Sequence, residues 1–475
     1  MTDHWSLITE SPQEECGIIG IFAPDEDVAR MAFFGLFALQ HRGQEAAGIA
    51  VSDGNAMSMY KNVGLVAQVF KPETLTGLQG HYAIGHTRYS TTGSSLIRNA
   101  QPFMIETMNG PLALAHNGNL VNSLQLRDEL LRQGVGFSST SDSEVMTMML
   151  ARDAGATWEE RIKDAMGNWV GAYSLTLLTR DCVYAVRDPW GFRPLCVGLL
   201  PGGGYAVASE SGALRTLGCE AIRDVKPGEI VALSSNALTV TQAVPPVSPS
   251  ARCVFEHIYF ARPDQTWDGV NVHAVRQKLG EELAREMEIA ADVVIPIPDS
   301  SIPAAIGFAR VSGIAYNDGF VKNRYVGRTF IEPTDSLRKR GVGMKFNVIN
   351  ENVLGKRVIM IDDSIVRGNT TGPLIKLLKN AGASEVHVAI TCPPIVHPCF
   401  MGVDMGTYDD LIAHKRSVNE IRQMVQADSL VYLSLAGMMR AVGRSDGYCQ
   451  ACFTGTYPVP VDVSSAKTGF ERGKK

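Results

Sequence analysis

Short apolar runs separated by glycine-rich turns dominate the first half of the chain. Apolar runs of about four to eight residues between turn residues are typical of buried strands. Two longer stretches, Val28–Gln40 and Ser143–Arg152, carry apolar residues at helical spacing instead. The pattern therefore predicts a domain of mixed helices and strands. The clearest strand predictions are Gly17–Phe22, Tyr82–Gly85, Leu112–Ala115, Tyr173–Leu178 and Cys182–Val186.

The pattern changes after Thr241–Pro249, a stretch with three prolines that is predicted to be a linker. Beyond it, apolar strands alternate with helical patterns. A helical pattern over Val272–Ile289 precedes a strand over Asp292–Pro296, and the strands Val358–Ile361 and Glu385–Ile390 flank another helical pattern. Such alternation indicates an α/β fold with a parallel sheet.

Length and patterning together predict two domains in these 475 residues. The first is predicted over residues 16–245 and the second over residues 250–463. A polar stretch over residues 464–475 is predicted to be a mobile tail.

Composition excludes several classes of protein. A net charge of −5 gives no basic surface for nucleic acid, and no apolar run is long enough to span a membrane. Residues 1–15 lack the basic and apolar regions of a secretory signal, so we expect a cytoplasmic protein. The nine cysteines are odd in number and are predicted to be thiols, ligands or nucleophiles rather than a disulfide framework.

The most informative stretch is Val358–Thr370, where an apolar strand runs into the adjacent carboxylates Asp362 and Asp363. A short turn with Arg367 and Gly368 follows, and a helix is predicted after it. Carboxylates suit ribose hydroxyls or the Mg²⁺ carried by a diphosphate, while loop amides at a helix start suit a phosphate. The alternative is a buried strand that simply ends in a turn.

This order of apolar run, acid pair and Arg-Gly-polar-polar resembles the signature of type I phosphoribosyltransferases, which bind phosphoribosyl diphosphate (PRPP). The resemblance implies that Ser300 joins Asp362 and Asp363 around Mg²⁺, and that residues 364–370 take the 5′-phosphate. The Pro-Asp-Ser-Ser turn around Ser300 could cradle a diphosphate or cap a helix, and the two roles are compatible. The PRPP contacts predicted in these stretches are Asp299, Ser300, Ser301, Asp362, Asp363, Ser364, Arg367, Gly368 and Thr370.

The stretch over residues 321–346 is rich in lysine, arginine and glycine. It could be an ordinary basic surface loop. The resemblance implies instead a mobile lid that closes over PRPP. Its predicted diphosphate contacts are Lys322, Arg324, Arg328 and Lys345.

Cys16 follows a short polar segment and precedes the apolar run Gly17–Phe22. One reading is a small buried cysteine at the start of a strand, which is common for this residue. The other is that residues 1–15 are a propeptide, whose removal would give Cys16 a free α-amine as the base for its own thiol. Such an amine has a pKa of roughly 7.7–8.0, so it could take the thiol proton and later give it to leaving ammonia.

Five later motifs, together with Cys16, resemble the glutamine amidotransferase domain of the N-terminal-nucleophile class. The resemblance implies that Arg88 holds the α-carboxylate of glutamine and Asp142 its α-ammonium. It also implies that the Asn117 side chain and the Gly118 N–H form the oxyanion hole. Considered alone, Arg88 could be a surface charge, and Asn117-Gly118 favours a type I′ hairpin turn. The five motifs are His41–Ile49, Gly85–Thr91, Ala115–Leu120, Ser141–Glu144 and Arg187–Leu195.

Cys253–Pro263 resembles the start of the catalytic domain of amidophosphoribosyltransferases, and the two halves together resemble that family over almost the whole chain. The resemblance implies a four-layer αββα N-terminal-nucleophile glutaminase domain of the α+β class, followed by an α/β type I phosphoribosyltransferase domain. It implies glutamine-dependent amination of PRPP to 5-phosphoribosylamine, the first step of de novo purine synthesis, with glutamate and diphosphate as by-products. The implied partners are glutamine, PRPP, purine nucleotide inhibitors and further copies of the chain in a homotetramer.

Cys449-Gln-Ala-Cys452 is a C-x-x-C motif that on its own fits redox, zinc or iron–sulfur chemistry. One branch of the family has a propeptide and a [4Fe–4S] cluster. The ligand positions of that branch match Cys253, Cys399, Cys449 and Cys452. Cys392 lies near Cys399 in the sequence, but the residues around Cys399 match the branch's motif, so Cys399 is the predicted ligand.

Two other classes of function compete with this interpretation. A glutamine amidotransferase for hexosamine synthesis is disfavoured, because sugar isomerase domains lack the Asp362-Asp363 motif. A regulator that only senses nucleotides is disfavoured by the intact Cys16 and its accompanying motifs. Three positions depart from the usual family pattern without touching a proposed catalytic atom, and they are Gln265, Gly343 and Asn369.

Overall fold

The computed structural model describes residues 16–89, 96–323, 345–405 and 407–461. The predicted propeptide over residues 1–15 and the predicted tail over residues 464–475 lie outside the described residues. Within the described part of the chain, no helix has both the length and the apolar character needed to cross a membrane.

The elements of the first domain follow the apolar runs of the sequence. Its strands are β1 (Gly17–Phe22), β2 (Ala46–Ser52), β3 (Met57–Val63), β4 (Tyr82–Arg88), β5 (Phe103–Thr107), β6 (Gly110–Leu120), β7 (Gly171–Leu178), β8 (Cys182–Arg187), β9 (Cys196–Leu199), β10 (Tyr205–Ala208), β11 (Glu220–Asp224), β12 (Glu229–Ser234) and β13 (Leu238–Gln242). Its helices are α1 (Val28–Ala38), α2 (Val66–Val69), α3 (Pro72–Thr76), α4 (Ser123–Arg132), α5 (Asp142–Arg152), α6 (Trp158–Met166) and α7 (Ser211–Thr216).

These strands form two antiparallel sheets that pack face to face. One has the order β11-β9-β10-β1-β4-β2-β3 and the other the order β13-β12-β8-β7-β6-β5. Ile18 and Ile84 of the first sheet share a core with Ala115 and Val183 of the second. Because successive side chains of a strand point to opposite faces, each sheet also has an outer apolar face to cover.

Helices cover both outer faces. Residues of α1 and α7 pack with Ile19 and Ile21 on the first sheet, while residues of α4, α5 and α6 pack with Leu175 and Val186 on the second. The domain is therefore a four-layer αββα sandwich, as predicted. Burial on both faces explains why β1 is apolar throughout instead of alternating with polar residues.

The second domain alternates strands with helices. Its strands are β14 (Arg252–Cys253), β15 (Thr266–Trp267), β16 (Val270–Asn271), β17 (Val293–Pro296), β18 (Phe320–Lys322), β19 (Phe346–Val348), β20 (Arg357–Asp362), β21 (Glu385–Ile390), β22 (Ser429–Tyr432) and β23 (Tyr448–Cys449). Its α-helices are α8 (Val272–Glu286), α9 (Ile302–Ser312), α10 (Asn350–Val353), α11 (Thr371–Asn380), α12 (Ile412–Lys415), α13 (Val418–Val425), α14 (Leu435–Val442) and α15 (Ala451–Thr454), and Glu256–Phe260 forms a π-helix.

A parallel sheet of order β17-β20-β21-β22 organises this domain. The apolar side chains of β17, β20 and β21 are buried in one core with those of α8, α9 and α11. In a parallel sheet the carboxyl ends of the strands share one edge, where ligands of open α/β folds bind. That edge carries the residues that follow Pro296, Asp362 and Ile390.

Some element ends differ from the sequence predictions. The helix predicted over Val28–Gln40 ends at Ala38, and the one predicted over Val272–Ile289 ends at Glu286. The first two residues of the predicted linker belong to β13, because Thr241 and Gln242 pair with β12. The predicted domain boundaries stay predictions.

A buried charge network joins the two domains. The Arg42 guanidinium donates to Glu210 Oε1 and to Glu256 Oε2, each at 2.5 Å, and all three side chains are fully buried. Burial alone would raise the pKa of Glu210, but His41 and Arg42 hold it well below its usual value. The Glu210 carboxylate therefore stays ionised. The network links the turn after α1, which carries Arg42, to the π-helix of the second domain, which begins at Glu256.

Candidate functional site

Cys16 lies directly before β1 and is buried. Its Sγ donates a hydrogen bond to the Tyr89 carbonyl at 3.4 Å. Burial raises the pKa of the Cys16 thiol to about 11, although the nearby Arg88 cation opposes this shift. The thiol of this chain is therefore protonated near neutral pH and needs a base to become a nucleophile.

Arg88 and Asp142 share a small pocket with Cys16. Arg88 is the last residue of β4, and burial lowers the pKa of its guanidinium. Asp142 is the first residue of α5, and its Oδ2 accepts a hydrogen bond from the Leu120 N–H at 3.1 Å. A fixed cation and a fixed anion beside one thiol fit the two charges of an amino acid. The pocket is lined by Cys16, Arg88, Tyr89, Gln101, His116, Gly118, Ser141, Asp142 and Ser143.

Asn117 and Gly118 lie inside a strand, so the hairpin turn that the dipeptide favours on its own is wrong. Both belong to β6, where they pair with Ser174 and Tyr173 of β7. Gly118 has a φ of +145°, and a Cβ there would clash with the Ala172 carbonyl. The Asn117 Nδ2 is buried and finds no acceptor among the described residues. A buried amide donor without a partner suits an oxygen that acquires negative charge.

The acid pair lies at the carboxyl edge of the parallel sheet. Asp362 ends β20, and Asp363 is buried behind it. The Ser300 hydroxyl donates to Asp363 Oδ2 at 2.6 Å, and the Ser301 hydroxyl donates to Asp362 Oδ1 at 3.4 Å. Burial raises the pKa of Asp363, while hydrogen bonds from Ser300 and Ser364 oppose this shift. The structure thus brings the two predicted PRPP stretches together.

The turn that carries Ser300 also leads into a helix. Ser301 is the residue before α9, so the helix N-terminus faces this edge of the sheet. Asp299 is exposed and accepts a hydrogen bond from Lys322 Nζ at 2.7 Å. The turn predicted to cradle a diphosphate is therefore also the start of a helix, so the two predicted roles remain compatible.

Only the two ends of the predicted lid belong to the described residues. Lys322 ends β18, which pairs with β19, and the Asn323 N–H donates to the Lys345 carbonyl at 2.8 Å. The strand pairing therefore holds the two lysines at the same end of one ribbon. The other two predicted contacts, Arg324 and Arg328, lie outside the described residues.

The predicted phosphate loop, residues 364–370, connects β20 to α11. Gly368 has a φ of +77°, a left-handed conformation that favours glycine. The Arg367 guanidinium lies 3.5 Å from Asp410, and Thr370 is the residue before α11. The loop therefore ends at a helix N-terminus, which suits a phosphate.

The four predicted cluster cysteines lie close together although they are far apart in sequence. Cys253 and Cys449 are directly opposite each other in the β14–β23 pair. Cys452 lies in the short helix α15, which follows Cys449. Its carbonyl accepts hydrogen bonds from the N–H groups of Val396 and His397, in the stretch that leads to Cys399. Burial, together with the neighbouring Cys253 and Cys399, raises the pKa of Cys449 to about 12. All four are free thiols.

No three His, Cys, Asp or Glu side chains in the described part of the chain surround a single metal position. A four-iron cluster makes a different demand, because each of its thiolates binds a different iron and the sulfurs stand farther apart. Four free cysteines on neighbouring elements fit that demand. At the acid pair, a site of two carboxylates also fits Mg²⁺, which takes its remaining ligands from water and phosphate.

Two residues around the sites were not predicted from the sequence as site residues. Arg276 is buried near Asp363 and donates to the carbonyls of His257 and Ala261. It lies on the face of α8 that also buries Val275 and Leu279, where a helical pattern normally places an apolar residue. Gln265 Oε1 accepts hydrogen bonds from the N–H and hydroxyl of Ser211, at 2.6 and 2.8 Å, and so joins the two domains.

Comparisons with known proteins agree with this geometry. A family model described as a glutamine amidotransferase domain matches residues 86–216. An amidophosphoribosyltransferase of Synechococcus elongatus is 49% identical, over 97% of this chain and 95% of its own length. One of Bacillus subtilis is 45% identical, over 94% of this chain and 98% of its own length.

Solved structures give the same result. Glutamine PRPP amidotransferase from B. subtilis, complexed with ADP and GMP, is similar with a TM-score of 0.89 at 43% identity, over 96% of this chain and 100% of that chain. A structure described as the allosteric regulatory enzyme of purine biosynthesis has a TM-score of 0.90 at 43% identity, over 96% of this chain and 98% of that chain.

Fold and sites together define a glutamine amidotransferase joined to a phosphoribosyltransferase in one chain. More specifically, the chain belongs to the amidophosphoribosyltransferase family. This membership confirms the predicted enzyme class and the predicted reaction, glutamine-dependent amination of PRPP in purine synthesis.

Proposed function

We propose that Cys16 is the nucleophile of a glutaminase half-reaction. Its thiolate attacks the carboxamide carbon of glutamine, ammonia leaves with a proton, and water hydrolyses the thioester to glutamate. Arg88 and Asp142 hold the α-carboxylate and α-ammonium, while Asn117 and Gly118 donate to the oxyanion. The observation that carries the proposal is one pocket lined by a buried thiol, a cation, an anion and Gly118. The residue before Gly118, Asn117, has a buried amide donor that finds no acceptor among the described residues.

We infer that the mature chain begins at Cys16. The buried thiol, with its pKa raised to about 11, needs a base, and the α-amine set free by removal of residues 1–15 would supply one. Intact-mass measurement of active enzyme tests this directly. An active protein that retains residues 1–15 would contradict it.

In the second half-reaction, we propose that ammonia attacks the anomeric carbon of PRPP as diphosphate leaves. The new C–N bond forms while the C–O bond to diphosphate breaks, with inversion, and the extra proton is lost to solvent. Loop 364–370 would hold the 5′-phosphate, and Lys322 and Lys345 would contact the diphosphate. Most of the catalytic effect would come from positioning and charge stabilisation.

We propose that Asp362, Asp363 and Ser300 hold Mg²⁺ together with the substrate. Ser300 donates to Asp363, and the neighbouring Ser301 donates to Asp362, so these groups meet at one corner of the sheet edge. This supports the proposal, because paired carboxylates suit a hard cation. When bound, Mg²⁺ would neutralise the charge of the leaving diphosphate.

We also propose a [4Fe–4S] cluster on Cys253, Cys399, Cys449 and Cys452. The support is that four free thiols from separate elements meet, and that burial and mutual repulsion raise the pKa values of Cys253, Cys449 and Cys452 and so disfavour uncompensated thiolates there. A cluster would remove that repulsion by binding the sulfurs. Its role would be structural, because it would tie the end of the chain to the start of the second domain.

Regulation and assembly are proposed from the same family membership. The B. subtilis structure is complexed with ADP and GMP, which supports purine nucleotides as inhibitors of this enzyme. A cytoplasmic homotetramer follows the family resemblance.

Replacing Cys16 tests the division of labour between the sites. We expect Cys16→Ala to abolish the use of glutamine while activity with free ammonia remains within about twofold of the parent, because the second site is separate. Cys196→Ala, at a buried cysteine on β9 away from the pocket, is the matched control and should keep both activities. Loss of both activities in Cys16→Ala alone would overturn the assignment.

A further inference from the structure

A segment of the second domain packs against β6 of the first domain, the strand that carries the proposed oxyanion donors Asn117 and Gly118. This bridge segment, residues 391–405, begins where β21 ends, and the Thr391 N–H donates to the Asp362 carbonyl at 3.0 Å. It therefore starts beside the acid pair of the second site. Its other end lies against Gly118 of the first site.

Gly402 makes the closest approach. It has a φ of +104°, and a Cβ at this position would lie 3.0 Å from the Gly118 carbonyl carbon and 3.1 Å from the Gly118 Cα. On its own strand, Gly118 already packs so tightly against the Ala172 carbonyl that a Cβ would clash there. The Gly118 peptide is thus confined by β7 and, separately, by the second domain.

Two hydrogen-bonded contacts hold the bridge segment in this place. Asn119 Nδ2 donates to the Phe400 carbonyl at 2.9 Å. The fully buried Arg193 donates to the Met401 carbonyl through Nε at 3.1 Å and through Nη2 at 2.5 Å. Both donors belong to the first domain, and both acceptors belong to the two residues directly before Gly402.

Arg193 is itself hydrogen-bonded to β7, the strand that pairs with β6. Its carbonyl accepts a hydrogen bond from the Ser174 hydroxyl at 3.3 Å, and Ser174 pairs with Asn117 across β6 and β7. Its Nη1 lies 3.9 Å from Glu256, which belongs to the buried interdomain network. A shift of the bridge segment would therefore reach both proposed oxyanion donors.

We propose that Gly402 is a positioning residue of the glutaminase, and that the second domain completes the oxyanion hole by confining Gly118. The proposal rests on the proposed role of Gly118. Donors must lie within about 2.7–3.1 Å of the developing oxyanion, and misplacement by about 1 Å can cost 100-fold in rate. A side chain at position 402 would displace Gly118 without entering the glutamine pocket.

The test is Gly402→Ala, with glutamine hydrolysis measured in the presence of PRPP. We expect kcat to fall roughly 10- to 100-fold while the KM for glutamine stays within about threefold, because the oxyanion forms only after binding. Binding of glutamate γ-semialdehyde, whose adduct with Cys16 carries an oxygen at the same place, should weaken by the same factor. Alkylation of Cys16 by iodoacetamide and the ammonia-dependent activity should stay near those of the parent.

Gly443→Ala is the matched control. Gly443 also has a left-handed backbone, with a φ of +74°, and lies in the same domain, but a Cβ there would meet nothing within 4 Å. A glutaminase kcat for Gly402→Ala equal to that of Gly443→Ala would overturn the proposal. So would a raised KM with an unchanged kcat, since this would indicate a defect in glutamine binding.

A milder variant decides the matter if Gly402→Ala fails to fold and loses both activities. Asn119→Ala removes one contact to the bridge segment, and we expect kcat to fall about two- to tenfold with KM unchanged. An unchanged kcat in that variant would overturn the proposal. Failure of the proposed function would look different, because the parent enzyme itself would then not hydrolyse glutamine.

Discussion

At the scale of single residues, both sites rely on charges withdrawn from water. Burial lowers the pKa of Arg88 and raises that of Asp363. Each pocket therefore disfavours the charged form of its own side chain, and a substrate group of opposite charge would offset this cost. In the proposed roles, a glutamine carboxylate would add to the Glu45 carboxylate that lies 3.9 Å from Arg88, and a cation would balance the acid pair. Binding of the correct charge is thereby favoured over binding of a neutral ligand.

The acid pair is tested by the double change Asp362→Asn, Asp363→Asn. We expect the rate of PRPP turnover to fall by about 10²–10⁴-fold with either nitrogen source, because two negative charges are lost at the proposed Mg²⁺–diphosphate site. Asp292→Asn, at an exposed carboxylate before β17, is the control. A near-normal rate in the double variant would mean that the pair only ends a strand.

At the scale of elements, the apolar pattern predicted strands such as β1 and β7, which are buried on both faces, but not the more exposed edge strands such as β3 and β13. Predictions of β1 and β21 match the observed bounds. Local preference failed at Asn117-Gly118, where pairing with β7 overrides the turn that the dipeptide favours. Contacts such as Gly402 against Gly118 join positions far apart in sequence, and local patterns carry no information about them.

The interdomain charge network should contribute strongly to stability. Arg42→Met would leave Glu210 and Glu256 buried without their shared cation, and we expect a loss of about 3–5 kcal/mol in the free energy of unfolding. Urea unfolding followed by tryptophan fluorescence measures this. Arg30→Met, which breaks an exposed ion pair with Asp27, should change little. Equal effects of the two changes would contradict a stabilising role for the network.

The cysteine group makes a prediction that needs no activity assay. Anaerobically purified protein should be brown and contain iron and sulfide, and Cys399→Ser should lose both. Cys392→Ser is the matched control, because this buried cysteine is a near neighbour that is not a predicted ligand. Zinc without iron would replace the cluster with a thiolate zinc site.

At the scale of the whole molecule, the sites should work together. Free ammonia is mostly ammonium near neutral pH, so glutamine hydrolysis without PRPP would be wasted. We expect hydrolysis of glutamine to be slow alone and to accelerate when PRPP is added. The Asp362→Asn, Asp363→Asn variant should lose this acceleration. Glutaminase activity that ignores PRPP in the parent enzyme would contradict coupling.

The most direct measurement is the stoichiometry of products from the purified protein with glutamine, PRPP and Mg²⁺. We expect glutamate and diphosphate to appear in a one-to-one ratio, and omission of PRPP to abolish diphosphate and nearly abolish glutamate. Diphosphate release that needs neither glutamine nor ammonia, or glutamate formation with no diphosphate, would contradict an enzyme in which one site supplies the nitrogen that the other consumes.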